Sequence, residues 1–264
     1  MANDPYIIRG GAEGRARLRV LTAAMGPYTN AFLDSAEIPA GARVLDIGCG
    51  GGDVTRELAR RVGPQGHALG ADIDAVKIAL AREDPVANVQ FEVADVLTGA
   101  LAGPFDVVYA RFLLSHLTDP AAALRRMLAL LKPGAMLLVE DVEFSGHFCH
   151  PPRASFDHYV IWYQEAARRR GADACLGAKL PALVAEAGGV KIEPRAINPA
   201  ACEGPIKHMA PMTLAAIADS LVAEKIAERG QIDSDVADLE AAALDPSVFM
   251  SIPRIVQVRA YRAD

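Results

Sequence analysis

The first part of the chain carries apolar residues at helical spacing. Between Glu13 and Phe32 they recur three or four residues apart, at Leu18, Leu21, Met25, Tyr28 and Phe32. This is the spacing of one face of a helix. Gly26 and Pro27 are expected to break the segment, so the pattern predicts one or two leading helices.

The pattern then changes to short apolar runs that alternate with helical segments. Strands are predicted at ARVLDIG, HALGADID, VQFEVAD, FDVVYA and AMLLVEDVEF, and helices at 53–62, 74–83 and 120–131. Such alternation is typical of βαβ units, in which the strands form a parallel sheet. We therefore expect a doubly wound α/β fold with helices on both faces of the sheet.

Beyond about residue 145 the alternation lapses. Helices are predicted at 154–170, 178–187, 206–226 and 234–244, and strands at GGVKIEPRAI and VFMSIPRIVQVRAYR, which raises the sheet to seven strands. Pro253 lies inside the last run and predicts an edge position or a bulge. We expect one domain over 1–264, with an N-terminal helical segment (1–40), a central core (41–145), helical cap insertions with a strand near 189–197 (146–245) and a final strand (246–264).

Composition and charge narrow the class of partner. The chain is 52% hydrophobic and 23% charged, which is typical of a globular protein. Its formal net charge is −6, so no overall positive field would attract it to a phosphate backbone or an anionic lipid surface. Neither nucleic acid nor a membrane is an expected partner.

Cysteine usage and the termini bear on the compartment. The four cysteines form no CxxC pair, and the first residues lack a secretory pattern. The longest apolar stretches are interrupted by acids well before the roughly 18 residues that a membrane span needs. We expect reduced thiols and a cytoplasmic location. Arginine outnumbers lysine 21 to 6, which favours a bacterial source.

The segment VLDIGCGGGD, residues 44–53, carries the candidate chemistry, because an apolar strand ends in an acid and then opens through glycines into a helix. A dinucleotide fingerprint needs a glycine where the chain has Asp53, whose carboxylate would face a pyrophosphate. A P-loop needs a lysine, which this turn lacks. Both phosphate-binding interpretations are therefore disfavoured.

The spacing acid-x-Gly-x-Gly-x-Gly, from Asp46 to Gly52, resembles that of the class I S-adenosylmethionine-dependent methyltransferases. S-adenosylmethionine has no phosphate and carries a sulfonium and an ammonium group, so acids beside it are favourable. Glycines, which lack Cβ, let the backbone approach a ligand closely. The same glycines could also serve only as a tight structural turn.

Two further acids follow at the ends of the next strands. Asp72 lies 26 residues after Asp46 and could accept hydrogen bonds from both ribose hydroxyls. The third acid, Asp95, is by resemblance the one that holds the adenine amino group, helped by the N–H of Val96. Each acid could alternatively be the N-cap of the helix that follows it. For Asp74 the N-cap role is predicted as strongly as a binding role, and for Asp72 and Asp95 the binding role is favoured.

The resemblance covers residues 40–145 and implies a cofactor-binding site in this core. The implied site residues are Asp46, Gly48, Cys49, Gly50, Asp72, Ile73, Asp95, Val96 and Ala110. Asp46 would face the ammonium group, and the backbone of Ala110 would lie near the methionine part. After the fourth strand the chain reads YARF instead of the Asn-Pro-Pro-aromatic tetrad of methylases that act on bases or glutamine amides. This departure favours a small-molecule acceptor.

The acceptor is expected beyond the carboxyl ends of the strands. Six aromatic residues fall in a short stretch: Phe144, Phe148, Phe156, Tyr159, Trp162 and Tyr163. Either they pack on the sheet, or part of the cluster lines an apolar acceptor pocket covered by the helix at 206–226 with Met209 and Met212.

Histidines near the ends of strands 4 and 5 are the candidate general bases. They are His116, His147 and His150, with His158 further along, and an unperturbed imidazole titrates near neutral pH. A metal site at His147, Cys149 and His150 is disfavoured because no second pair of ligands accompanies them. We therefore predict no metal, and a magnesium site that uses Asp141, of the kind that binds catecholates, is left as the alternative.

The sequence leaves several functions open. The first expectation is methyl transfer to an O, N or C atom of a small, largely apolar molecule. The alternatives are a family member that uses the cofactor for another reaction such as ring closure, a module that only binds S-adenosylhomocysteine, and an NAD-dependent dehydrogenase. Apolar terminal helices would permit a homodimer.

Overall fold

The computed structural model describes residues 11–264, with side chains from Arg17 onward. Residues 1–10 of the predicted N-terminal segment lie outside the described residues. The helices are α1 (Gly11–Ser35), α2 (Asp53–Val62), α3 (Ala75–Ala81), α4 (Pro120–Ala129), α5 (Ala154–Arg169), α6 (Leu180–Glu186), α7 (Pro205–Ala223) and α8 (Arg229–Leu244).

The strands form one large sheet and one small one. They are β1 (Arg43–Ile47), β2 (His67–Asp72), β3 (Val89–Val93), β4 (Phe105–Arg111), β5 (Leu131–Glu143), β6 (Cys149–His150), β7 (Gly189–Ile197), β8 (Ala200–Ala201), β9 (Phe249–Ser251) and β10 (Arg254–Arg262). The large sheet has seven strands in the order β3-β2-β1-β4-β5-β10-β7. β10 is antiparallel to both of its neighbours, whereas β1 to β5 pair in parallel. The predicted doubly wound, mostly parallel fold is confirmed.

The strand order reverses between β1 and β4, which are neighbours although β2 and β3 separate them in sequence. In such sheets the chain leaves the two adjacent strands in opposite directions, which opens a crevice outside their carboxyl ends. The predicted acids Asp46 and Asp72 lie at the carboxyl ends of β1 and β2. The topology therefore brings the glycine turn and these acids to the crevice.

Helices cover both faces of the large sheet. Phe32 and Leu58, from α1 and α2, pack on one face in a buried cluster with Val107 of β4. Leu124 and Leu180, from α4 and α6, belong to the cluster on the other face. A third cluster joins α5, α7 and α8 to the middle of α1, and these helices form a cap over the carboxyl end of the sheet.

α1 is one continuous helix, so the predicted break at Gly26-Pro27 is wrong. Pro27 lies inside it, where a proline removes one hydrogen bond and crowds the preceding turn. Met25 and Thr29 on either side of it are almost fully buried. Packing on both flanks therefore holds the helix together, as is common for helices stabilised by tertiary contacts.

The final predicted strand is two strands. β9 ends at Ser251 and pairs with β6 and β8 in the small sheet, whereas β10 begins at Arg254 and lies in the large sheet between β5 and β7. Pro253 lies in the joint between them, not at an edge or a bulge as predicted. Without an N–H, proline cannot continue a ladder, which explains why the chain changes sheets here.

The described part of the chain contains no helix long and apolar enough to cross a membrane.

Candidate functional site

A cavity of about 520 Å³ opens at the carboxyl ends of β1, β2 and β4. One half is formed by the glycine turn after β1 and by the ends of β2 and β3. The other half is formed by α5, α7 and the segments after β4 and β5, and α1 borders both halves. The cavity thus joins the predicted cofactor region to the predicted acceptor region.

The glycine turn is fixed by backbone hydrogen bonds to the next strand. The N–H groups of Gly48 and Cys49 donate to the carbonyl oxygen of Ala71 at 2.7 and 3.1 Å. Gly48 and Gly52 adopt φ angles of 74° and 79°, which favour glycine. A Cβ on Gly48 would lie 3.2 Å from Cδ1 of Leu113. This turn requires glycine both for its conformation and for the close approach of neighbouring groups.

Asp46 is almost fully buried beneath the turn, and it lines the cavity. The hydroxyl of Thr55 donates to its Oδ2 at 2.6 Å. Burial raises the pKa of Asp46 to about 6, although the Thr55 hydrogen bond and the positive charge of Arg111 act in the opposite direction. A carboxylate that is so poorly solvated gains from a cationic partner.

Asp72 is held in place by the backbone on both sides. Its Oδ2 accepts a hydrogen bond from the N–H of Gly50 and its Oδ1 accepts one from the N–H of Asp74, each at 2.9 Å. The neighbouring Ile73 lines the cavity with 69% of its surface exposed. The exposed aliphatic side chain of Ile73 suits contact with a flat apolar ring, and the fixed carboxylate of Asp72 suits hydrogen bonds to the hydroxyl groups of a neighbouring ring.

The third acid, Asp95, lines the same cavity, as does Val96. Asp95 also caps the following turn, because it accepts hydrogen bonds from the N–H of Leu97 at 2.8 Å and from the hydroxyl of Thr98 at 3.0 Å. Asp74 is the N-cap of α3, accepting from Val76 N–H. The cap alternative therefore holds for Asp74 and describes part of what Asp95 does.

Most of the predicted cofactor residues meet at this cavity. Those that line it are Asp46, Gly48, Cys49, Gly50, Asp72, Ile73, Asp95 and Val96. Ala110 is buried at the end of β4, directly before the lining residue Arg111, and is not itself part of the lining.

The acceptor half is lined by aromatic and apolar side chains. Phe144 and Tyr163 stack with ring centroids 4.2 Å apart, and Tyr159 lies at 6.0 Å from Phe144. These three rings and Met209 line the cavity. Of the other residues proposed from the sequence, Phe148, Phe156, Trp162 and Met212 are not in the lining. Part of the aromatic cluster thus faces the cavity, while the rest packs elsewhere.

Among the three candidate bases, His116 lines the cavity. It lies on a short 3₁₀ turn, Leu114–His116, after β4. Desolvation lowers its pKa to about 4, and the positive charges of Arg17 and Lys77 act in the same direction. His116 is therefore a neutral imidazole at physiological pH, and the same surroundings make it a weaker base than a solvated imidazole.

His147 and His150 lie away from the cavity lining. The His147 ring sits among Phe144, Phe156 and Tyr159, with centroids 4.6, 5.6 and 5.5 Å away, and desolvation lowers its pKa to about 3. His150 is exposed on β6 of the small sheet. No group of three potential metal ligands occurs among the described residues.

Asp141, in β5, fixes the turn that carries His116. Its Oδ2 accepts a hydrogen bond from the N–H of Ser115 at 3.1 Å, and its Oδ1 accepts one from the N–H of Val142 at 2.8 Å. Burial raises the pKa of Asp141 to about 6, opposed by these hydrogen bonds. The orientation of His116 thus depends on a carboxyl group of the adjacent strand.

Three cavity residues that sequence reasoning missed are cationic. Arg17 lies on α1, Lys77 on α3 and Arg111 at the end of β4. None belongs to a motif, and Arg17 reaches the cavity only because α1 packs across the cap. The sequence pattern holds no signal for such a long-range approach.

Comparison with known proteins identifies the family. Residues 38–188, more than half of the chain, match the family described as a methyltransferase domain. The chain belongs to this family. Its members use S-adenosylmethionine as methyl donor, which agrees with the predicted cofactor.

Curated relatives are similar over the same region. The chain is 36% identical to the 2-phytyl-1,4-naphtoquinone methyltransferase of Thermosynechococcus vestitus over 134 residues, which are 50% of this chain and 57% of the relative. It is 38% identical to the ubiquinone biosynthesis O-methyltransferase of Xanthomonas axonopodis pv. citri over 122 residues, covering 45% of this chain and 51% of the relative. The chain thus spans a little over half the length of these two curated relatives, and less of others.

Among solved structures, the [4+2]-cyclase SpnF has the same fold, with a TM-score of 0.51 and 23% identity over 86% of this chain and 77% of that chain. This likeness concerns the fold.

The cavity fits the cofactor of the family in three respects. Acids line one half, where a ligand with an ammonium and a sulfonium group is favoured and a pyrophosphate would be repelled. The left-handed glycines keep that half open to a ligand. Finally, Ile73 offers an exposed apolar surface beside Asp72 that a purine could cover.

Proposed function

We propose that this protein transfers a methyl group from S-adenosylmethionine to an O, N or C atom of a small, largely apolar molecule. The observation that supports this most is the continuity of the cavity. Its acidic half suits a cationic nucleoside, and the aromatic half begins directly beyond it. A donor and an acceptor bound in the two halves would be neighbours, as direct transfer requires.

In the acidic half we assign one role to each strand end. Asp46 pairs with the ammonium group of the cofactor, Asp72 accepts hydrogen bonds from the ribose hydroxyls, and Asp95 with the N–H of Val96 recognises adenine. Ile73 covers the purine, and the turn from Gly48 to Gly50 lets the backbone approach the ligand. The backbone beside Ala110 borders the methionine part.

In the other half Phe144, Tyr159 and Tyr163 form a surface for a flat apolar acceptor. Two relatives carry names that refer to quinones, and such ring systems have the required apolar character. We expect Tyr159→Ala to weaken acceptor binding while cofactor binding persists, since Tyr159 lies in the acceptor half.

The cofactor, when bound, supplies a methyl group already activated by its sulfonium charge. The protein then has to orient the acceptor, exclude water from the cavity and, for a protonated acceptor, accept one proton. We assign that proton to the neutral ring of His116, oriented through Ser115 and Asp141. The roles of His147 and His150 as bases stay predictions from the sequence.

Two measurements test this function. S-adenosylhomocysteine should raise the midpoint of thermal unfolding in a concentration-dependent way, and NADH should not. Labelled methyl groups from S-adenosylmethionine should then appear on a molecule in a panel of quinols, phenols and amines, seen as a mass shift. Stabilisation by NADH alone would contradict the cofactor. Cofactor binding with an unmethylated, rearranged product would favour the ring-closing alternative, and binding without turnover would favour a binding module.

Action in the cytoplasm of a bacterium, and assembly as a homodimer, belong to the same proposal. They derive from composition and from apolar helix surfaces, and a sedimentation measurement would test the dimer.

A further inference from the structure

Arg17 is a cation in the acceptor half of the cavity. It lies on α1 and lines the cavity together with Thr213 of α7 and Tyr159 of α5. Its Nε donates a hydrogen bond to the hydroxyl of Thr213 at 3.3 Å. A guanidinium group has five N–H donors in a planar fork, so this single hydrogen bond leaves most of its donor capacity for a ligand.

The acids of the cavity do not pair with Arg17. They belong to the cofactor half and have other hydrogen-bonding partners: Asp46, Asp53, Asp72, Asp74 and Asp95. Among the side chains described from Arg17 onward, no carboxylate forms an ion pair with it. A cation in the cavity wall that has no carboxylate partner among the described side chains is suited to bind an anion.

The hydrogen bond to Thr213 places Arg17 at the wall of the cavity that α7 forms. Its positive charge acts on His116 and Tyr159, which also line the cavity. An anion bound by Arg17 would therefore lie beside the candidate base and the aromatic surface.

We propose that the methyl acceptor is a carboxylate-bearing aromatic or polyene molecule, whose carboxylate is bound by Arg17 with the hydroxyl groups of Thr213 and Tyr159. The flat apolar body of this acceptor lies against Phe144 and Tyr163. The inference rests on the proposed function and adds the charge of its substrate. It also explains how an acidic protein can bind an anionic molecule, because the attraction is local to one arginine.

The test uses matched pairs of probes on the protein saturated with S-adenosylhomocysteine. The pairs are benzoate with benzamide, trans-cinnamate with cinnamamide, and 2-naphthoate with 2-naphthamide, so that each pair differs in charge and hardly in shape. Calorimetry should give at least one carboxylate that binds about tenfold or more tightly than its amide, the size of one charge-assisted hydrogen bond. Absence of a preference for the carboxylate in all three pairs would overturn the proposal.

Variants assign the preference to Arg17. Arg17→Gln should remove it, whereas Arg17→Lys should keep part of it because the charge remains. Arg19→Gln is the matched control, since Arg19 is an exposed arginine of the same helix outside the cavity lining. A preference that survives in Arg17→Gln would contradict the assignment. If Arg17→Gln does not fold, Arg17→Lys provides the test. The assignment would then be contradicted if Arg17→Lys kept the full preference for carboxylates over amides and the same relative affinities for the three carboxylates.

Saturation with S-adenosylhomocysteine is itself measured first, which separates two failures. If the ligand does not bind, the proposed function fails. If it binds and the carboxylates show no advantage, only the present inference fails. A loss of S-adenosylhomocysteine affinity in Arg17→Gln with an intact carboxylate preference would assign Arg17 to the cofactor and would also overturn the proposal.

Discussion

Asp46 is both a buried carboxyl group and the proposed partner of the cofactor's ammonium group. Its carboxyl group is almost inaccessible to water, and its pKa is raised to about 6 mainly by desolvation. Thr55 satisfies one oxygen, so the charged form is destabilised but not excluded. A cationic ligand group at this position would lower the pKa and would in turn bind better to the charged form.

This linkage predicts a pH-dependent affinity for S-adenosylhomocysteine. Protonation of Asp46 removes the partner of the ligand's ammonium group, so affinity should be constant above pH 7 and fall as pH decreases through 6. At pH 5 the affinity should be about tenfold lower, since one pKa unit corresponds to a tenfold change. Calorimetric titration across this range measures the effect.

The control for this prediction is 5′-deoxy-5′-methylthioadenosine, which has the nucleoside but no ammonium group. Its affinity should change little over the same range. Equal pH dependence of the two ligands would refute the role of Asp46, as would an Asp46→Asn protein that retains the dependence.

The turn glycines provide a second prediction at the scale of the residue. Gly52 has a φ of 79° and a Cβ there would collide with the ring of Phe91. Gly52→Ala should therefore lower the free energy of unfolding by about 2 kcal/mol or more, through strain and overpacking together. Gly230→Ala, in α8 with open space around it, should instead be neutral or stabilise by up to about 1 kcal/mol. Urea denaturation of both variants checks the pair, and equal effects would contradict it.

At the scale of the element, the sequence was most informative where periodicity is strict. β1 to β5 and the helices between them follow from apolar runs alternating with helical spacing. The two errors both involve proline. Pro27 is tolerated because Met25 and Thr29 are buried on either side of it, and Pro253 marks a change of sheet. Neither outcome can be derived locally, because each depends on packing against distant elements.

The small sheet was not predicted at all. β6 and β8 have two residues each and β9 has three, which is too short for alternation to be recognised. Their pairing joins residues about 50 to 100 positions apart and is a product of the folded cap. Prediction of the site residues from the sequence was limited in the same way. The acids that belong to a local motif were predicted, whereas Arg17 and Arg111, which belong to none, were not.

The cap is held by a buried lysine, which gives a prediction for two helices together. Lys207, near the start of α7, is fully buried and donates hydrogen bonds to the carbonyl oxygens of Cys202 and Asp245, the latter at the end of α8. Lys207→Met would leave both carbonyls unsatisfied and should lower the free energy of unfolding by about 1–3 kcal/mol. Lys225→Met, at an exposed position, should change it by less than about 0.5 kcal/mol. Equal values from denaturant titrations would contradict this role.

At the scale of the whole molecule, the reversal of strand order brings three acids from separate strand ends to one cavity, and the cap adds aromatic rings and a cation on the opposite side. The acids that line the cavity thus lie in the cofactor half together with Lys77 and Arg111, whereas Arg17 lies in the acceptor half. This arrangement is consistent with a cationic nucleoside in one half and an anionic, apolar molecule in the other.

The most direct test of the account is the affinity for S-adenosylhomocysteine after neutralisation of the second and third acids. By calorimetry, Asp72→Asn and Asp95→Asn should each weaken binding about 10- to 100-fold, the effect of losing charged hydrogen bonds to the ligand. Asp106→Asn is the control, because Asp106 binds Arg43 and Lys132 at the opposite end of β4, and it should leave affinity unchanged. Unchanged affinity in the Asp72 and Asp95 variants would contradict the account.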